Sequence, residues 1–317
     1  MRWMIGFLLM GFSLIAAAQA YPAKPVRIVV TAAPGGSDDF MGRILAKQLT
    51  ESTGRQFLVE NRPGGGAVIG RQYVARAAPD GYTLLIAGSA MAALPTLYPT
   101  VKLDLLRDFT PISLFATYPL VLVVHPTVPA KTAKDIIALA RKSPGKLSFG
   151  SSGIGQGPHL AAELFKSMAK IDMLHVAYKG SGPGYVDLMA GRIDLSFGVI
   201  AAAMQYIKLG KLRPLGVTSA KRTAAAMTIP TISETGLPGY DFPSWMGFYG
   251  PAGMPEAVVA KLNAEVRKMI VLPEVRTPML ETGLDPAASS PEELRDMLKA
   301  NIEKLERIIT TQNIKLE

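Results

Sequence analysis

Main-chain amides gathered around a negative charge are the chemistry this chain is best supplied for. Three stretches join glycine to hydroxyl side chains where a strand gives way to a helix: Pro34-Gly35-Gly36-Ser37-Asp38-Asp39, Gly150-Ser151-Ser152-Gly153-Ile154-Gly155-Gln156-Gly157-Pro158-His159 and Tyr178-Lys179-Gly180-Ser181-Gly182-Pro183-Gly184. Glycine lets N–H groups face inward with no Cβ in the way, and a helix start adds about half a positive charge, so each loop can cradle a carboxylate or phosphate. A single loop of this kind is as well explained by a tight turn. Three in one chain, with Ser37, Ser151, Ser152 and Ser181 placed to donate, point to ligand binding. Asp39 suits a ligand amine or a bridging water, or simply a first-turn acid favoured by the helix dipole. His159 can reach a bound anion, or it can close the helix start.

Catalysis has little to work with. There is no cysteine, which removes thiol nucleophiles, thiolate zinc sites and iron–sulfur clusters together. The run Gly153-Ile154-Gly155-Gln156-Gly157 has the spacing GxGxG rather than the dinucleotide fingerprint GxGxxG, and no GxSxG elbow, phosphate-loop lysine or HExxH is present. The three histidines, His125, His159 and His175, fall in different elements. We therefore expect no enzyme and no cofactor.

The elements that must position these loops are legible in the pattern. Val26 to Ala32 reads as a buried strand, and Asp38 to Ser52 as a helix with Phe40, Ile44, Leu45 and Leu49 on one face and Gly54 as its stop. Further strands are expected at Gln56 to Glu60, Tyr82 to Ala87, Pro119 to His125, Lys146 to Ser151, Leu174 to Tyr178, Ile193 to Phe197 and Leu212 to Thr218. Helices alternate with them near 68–77, from Thr132 with Asp135 as its capping-box partner, and near 183–190 and 201–209. This alternation predicts α/β architecture with parallel sheets, better two than one, whose ligands sit beyond the carboxyl ends of strands. The helix-rich tail (255–270, 274–281, 291–312) lacks strands for a core of its own and is expected to pack back on the first lobe.

Met1 to Ala20 reads as a cleaved secretory signal: Arg2, sixteen apolar or small residues from Trp3 to Ala18, then Ala18-Gln19-Ala20 as the cleavage site. The apolar run is short of the roughly 20 residues that span a bilayer. The net charge of +9 is spread along the chain with no clustered basic stripe, so no nucleic-acid partner is expected.

Taken in order, Tyr21-Pro22, Pro25-Val26-Arg27-Ile28-Val29-Val30, Pro34-Gly35-Gly36, Glu60-Asn61-Arg62-Pro63-Gly64, Ala78-Pro79-Asp80-Gly81-Tyr82-Thr83-Leu84-Leu85, Phe149-Gly150-Ser151-Ser152-Gly153, His175-Val176-Ala177-Tyr178-Lys179-Gly180-Ser181, Gly210-Lys211-Leu212-Arg213 and Thr218-Ser219-Ala220-Lys221-Arg222 resemble the Bug, or TctC-type, receptors of tripartite tricarboxylate transporters. The resemblance runs through essentially the whole mature chain. It implies a type II periplasmic-binding-protein fold, two α/β lobes with a ligand cleft between them. Lobe 1 would be 21–122 and 246–317, lobe 2 123–245, after a signal peptide at 1–20.

It also implies a periplasmic, monomeric receptor for a small organic carboxylate, working with TctA/TctB-like permease subunits. The matching positions are Gly35, Gly36 and Asp39 on one side of the cleft and Ser151, Ser152, Gly180 and Ser181 on the other, with Ser89 and Ala90 also facing it. Gly198-Val199 stands where relatives often have Asp-Asn, 91–93 is Ala-rich where a polar residue is common, and Ala67-Val68 replaces a frequent Gly-Asn. These losses favour an aromatic or otherwise weakly polar tail on the ligand. The rival readings are a ligand-sensing receptor for a sensor kinase and a secreted α/β enzyme.

Overall fold

The computed structural model describes residues 21–315 apart from Ala33, Gly35, Gly36 and Lys179. The expected signal segment at 1–20 and the pair Gly35 and Gly36 lie outside the described residues. The chain begins β1 (Val26–Val30), α1 (Ser37–Thr53), β2 (Phe57–Asn61), α2 (Val68–Ala75), β3 (Thr83–Gly88), α3 (Leu94–Leu97), β4 (Phe109–Tyr118). It continues β5 (Leu120–Val124), α4 (Ala133–Lys142), β6 (Ser148–Ser151), α5 (Gly157–Ala169), β7 (Leu174–Ala177), α6 (Ser181–Met189), β8 (Leu195–Val199), α7 (Ile200–Lys208), β9 (Arg213–Val217) and α8 (Ile232–Thr235). It ends β10 (Ser244–Pro251), α9 (Glu256–Met269), α10 (Pro273–Glu281), β11 (Asp285–Pro286) and α11 (Pro291–Thr311).

Two sheets result. One has the order β11-β4-β10-β3-β1-β2 and the other β7-β6-β8-β5-β9. In each, three neighbouring strands are parallel, as expected: β2, β1 and β3 in the first and β7, β6 and β8 in the second. The sheets are nevertheless mixed, because β10 runs antiparallel between β3 and β4, and β5 antiparallel between β8 and β9. Those are the strands at which the chain changes sheet, once across Pro119 and once between Val217 and Ser244. A strand arriving from the other sheet enters from the opposite end, and its direction reverses. Both crossings lie slightly upstream of the lobe limits read from the sequence, which fall inside β5 and β10.

Period-two alternation assigns the strand side chains to layers. Ile28 and Val30 of β1 pack with Leu84 and Ile86 of β3 against Met41, Leu45 and Leu49 of α1 and Leu262 and Val266 of α9. Val29 and Leu85 face the other way, into a core shared by both sheets. That core takes Leu120, Leu122 and Val124 from β5, Phe165 from α5, and Leu294, Leu298 and Leu305 from α11. Val121 and Val123 point instead to a third cluster with Tyr185, Leu188 and Ile200. The parallel strands thereby hold their carboxyl ends, and the loops that follow, at fixed positions.

Candidate functional site

In the second sheet the loop after β6 is pinned from below. The Ser151 hydroxyl lies 2.7 Å from His175 Nε2 and accepts the Gly153 N–H at 3.2 Å. Gly155, at φ +73°, donates its N–H to His159 Nδ1 at 3.1 Å. His159 thus accepts at Nδ1, which assigns its proton to Nε2 in the neutral ring. Phe149, His175 and His159 stack beneath the loop, the two imidazoles with centroids 4.0 Å apart and planes within 10°. Burial, then the neighbouring His175 and Lys166, lowers the His159 pKa to about 3; burial and Lys166 lower His175 to about 4. Both are neutral at pH 7. Glu163, 3.8 Å from His159 Nε2, is pushed upward by burial despite its 3.0 Å contact with Lys166, so desolvation outweighs that pairing.

The loop after β7 joins the first loop directly. Gly180 donates its N–H to the Ser152 carbonyl at 3.2 Å, and Tyr178 donates to that of Ser151 at 3.0 Å. Gly180 is the residue before α6, at φ +109°, and Ser181 opens that helix. Ser151, Ser152, Ser181 and Gly198 line one hollow with Tyr185, of about 10 Å³, room for roughly a single water. Gly198 is required there: a Cβ on it would fall 1.8 Å from the Tyr185 hydroxyl. That hydroxyl reaches the Val199 carbonyl at 3.4 Å, and Val199 precedes α7.

On the first sheet, Asp39 is buried in the first turn of α1. It receives both nitrogens of a fork from Arg43, at 2.9 and 3.1 Å, and Asn61 Nδ2 at 2.8 Å. Asn61 also donates to the Ala32 carbonyl at 3.1 Å, tying the end of β2 to the segment that leaves β1. Ser89, buried just beyond β3, has its carbonyl held by Asn301 Nδ2 of α11 at 2.7 Å, and Ala90 beside it is half-buried. The two sides approach where Gly155 faces Leu97 of α3, whose Cδ1 lies 2.4 Å from where a Cβ on Gly155 would sit.

Sequence reasoning named the loops and missed three of the residues that fix them: Arg43, Asn61 and Asn301. The i,i+4 spacing of Asp39 and Arg43 was an available signal. A larger concavity of about 590 Å³, lined by Lys24, Arg27, Arg62, Tyr73, Arg76 and Asp80 among others, lies beside α2 and touches none of the expected residues. Its size alone does not make it the site. Helix starts and hydroxyl groups converge at the small hollow instead.

Two α/β lobes, each presenting strand-end loops to the other, are the anatomy of a binding protein that closes on a solute. The chain belongs to the family described as "Tripartite tricarboxylate transporter family receptor", whose model matches residues 41–314. It is 40% identical over 291 residues, covering 92% of this chain and 87% of the relative, to the "UPF0065 protein in tcbD-tcbE intergenic region" of Pseudomonas sp. strain P51. Among solved structures it is similar to "R. palustris Rpa4515 with adipate", with TM-score 0.85 and 35% identity over 93% of this chain and 99% of that one. It is also similar to MatC (Rpa3494) from Rhodopseudomonas palustris with bound malate, with TM-score 0.80 and 28% identity over 91% and 100% of the two chains.

Proposed function

We propose that this chain is a periplasmic, monomeric receptor that captures a small organic carboxylate, closes on it and hands it unchanged to TctA/TctB-like permease subunits. The observation that carries the reading is the pair of loops that lead into α5 and α6, joined by the Gly180–Ser152 hydrogen bond around a hollow lined by Ser151, Ser152 and Ser181. Amides and hydroxyls held this way meet a carboxylate already in place, so little ordering remains to be done on binding. The names of two similar structures, one with adipate and one with malate, support the same chemical class. The buried, apolar Met91, Ala92 and Ala93 beyond β3 suit a ligand with an aromatic or otherwise weakly polar tail.

In this reading the carboxylate lies against Ser152, Gly180 and Ser181, while Ser151 and His159 hold the loop from within. Gly35, Gly36, Ser37, Asp39, Ser89 and Ala90 complete the site from lobe 1, and Gly155, Gly198 and Val199 border it from lobe 2. A thermal-shift screen of organic acids, sugars and cations tests the class, since a ligand that binds only the folded state raises its melting temperature. Carboxylates should stabilise, and Ser181→Ala should weaken the hit by about 1.5–3 kcal/mol without lowering the melting temperature of the free protein. A response confined to sugars or cations, or turnover of the acid, would overturn the reading.

A further inference from the structure

The concavity of about 590 Å³ beside α2 exists because the helix covers only part of its sheet face. β1 lies between β2 and β3, and a central parallel strand is ordinarily buried on both sides. Val29 obeys that rule, in the same core cluster as Val68 and Val74 of α2. Arg27, two residues earlier on the same face, is exposed, and its register partner Leu58 on β2 is 48% exposed. Ile69, Gln72, Tyr73 and Arg76 recur at helical spacing and line the concavity, so one face of α2 borders this uncovered strip. Ile69 is 54% exposed.

The cations along the strip are of two kinds. Arg62 is 2.6 Å from Glu60 and lies over the Tyr73 ring, 3.6 Å from its centre; Lys24 is 3.7 Å from Asp80 and 4.3 Å from the centre of the Tyr82 ring. Each of these two has its own carboxylate and aromatic ring. Arg27 and Arg76 are exposed, and their side chains form no hydrogen bond or ion pair with any described residue. Two guanidiniums are therefore left over in a hollow whose other charges are paired.

An acidic polypeptide fits this hollow better than other occupants do. A small molecule is ordinarily enclosed by mostly apolar walls, whereas these walls end in exposed charged groups. A bilayer is flat, and its anionic headgroups would meet the carboxylates of Asp80 and Glu60. A second copy of a chain with net charge +9 brings the same sign to the contact. An extended acidic segment offers carboxylates to the guanidinium forks, and an apolar side chain between them covers Leu58 and Ile69.

We propose that this strip of lobe 1 is a docking groove for an extended acidic segment of a partner protein, two of whose carboxylates pair with Arg27 and Arg76. The groove shares no residue with the proposed solute site, so docking here does not depend on the carboxylate reading.

The test is fluorescence anisotropy with a fluorescein-labelled decapeptide in which aspartate and glutamate alternate with leucine and tyrosine, set against the same peptide with asparagine and glutamine in place of the acids. The purified protein should bind the acidic peptide saturably, bind the neutral one about tenfold or more weakly, and lose affinity for the acidic one as ionic strength rises. Arg27→Ser/Arg76→Ser should weaken acidic-peptide binding about tenfold or more. Lys299→Ser/Arg307→Ser, which removes the same charge from exposed positions on α11, should stay within about twofold. Arg27→Gln and Arg76→Gln should each lose about threefold, and they carry the test if the double variant does not fold. Absence of acidic-peptide binding, equal affinities for the two peptides, or equal losses in the two double variants would overturn the groove. So would binding to phosphatidylglycerol vesicles alone, lost in Arg27→Ser/Arg76→Ser, which would assign the strip to a membrane surface. The thermal shift with organic acids, read on the same proteins, should be unchanged in Arg27→Ser/Arg76→Ser; its absence from the wild type would count against the solute site and leave the groove standing.

Discussion

His159 and His175 take no part in the proposed contact with ligand, yet they decide how the loop above them responds to acid. Folded, they titrate at about 3 and about 4; unfolded, both return to the ordinary imidazole value of about 6.5. As the pH falls below 6.5 the unfolded chain takes up protons that the folded chain refuses. Their contribution to stability is therefore complete above pH 6.5, is lost progressively on acidification, and levels off below pH 3–4. The two shifts set an upper bound on that loss of about 8 kcal/mol for the pair, most of it on His159. Glu163, raised by burial, acts with the opposite sign at and above the ordinary carboxyl range near pH 4.3, so the histidines are read most cleanly between pH 6.5 and 5.5. Urea midpoints over that interval should fall in the wild type and hold nearly level in a His159→Gln/His175→Gln variant. Equal slopes in the two proteins would remove the histidines from the account.

At the scale of elements, α11 is the connector. Its start is a complete capping box: Ser290 Oγ accepts the Glu293 N–H at 3.1 Å, and Glu293 accepts the Ser290 N–H at 2.7 Å. Further along, Asn301 holds Ser89, one of the residues of the proposed site, and Lys304 holds the Asp241 carbonyl on the segment returning from lobe 2. Ser290→Ala should cost about 1 kcal/mol in urea unfolding with ligand affinity unchanged. Asn301→Ala should lower both stability and affinity, because it frees a carbonyl at the cleft; equal effects of the two variants on affinity would contradict the connector role. The start of this helix is readable from Pro291 onward, as is that of α4 from Thr132 and Asp135, because capping is written in adjacent residues. β4 and β10 are not, since Pro111, Gly247 and Gly250 break their patterns, and the register shifts between Met246 and Gly247 and between Phe248 and Tyr249, the latter paired with Pro111, accommodate the interruption. The site follows the same division. Glycine and serine mark the loops locally, whereas Asn61 is 22 residues from the Asp39 it holds.

For the whole molecule, the shared core and the facing loops set limits on closure. The core that joins both sheets through α11 makes that side a pivot rather than an opening, so relative motion is concentrated at the strand-end loops. There Gly155 faces Leu97, with no room between them for a Cβ on Gly155. Gly155→Ala combines two penalties that can be separated. The new Cβ meets the Leu97 methyl and props the lobes apart, which should reduce ligand affinity about tenfold, and φ +73° strains any L residue by roughly 1–2 kcal/mol whatever its surroundings. Leu97→Ala in the same chain makes room for the methyl and leaves the backbone as it was. The double variant should therefore regain most of the lost affinity while remaining less stable than Leu97→Ala alone. Affinity that stays low in the double variant would mean that the strained loop itself is displaced, and that contact between the lobes at this point does not govern binding.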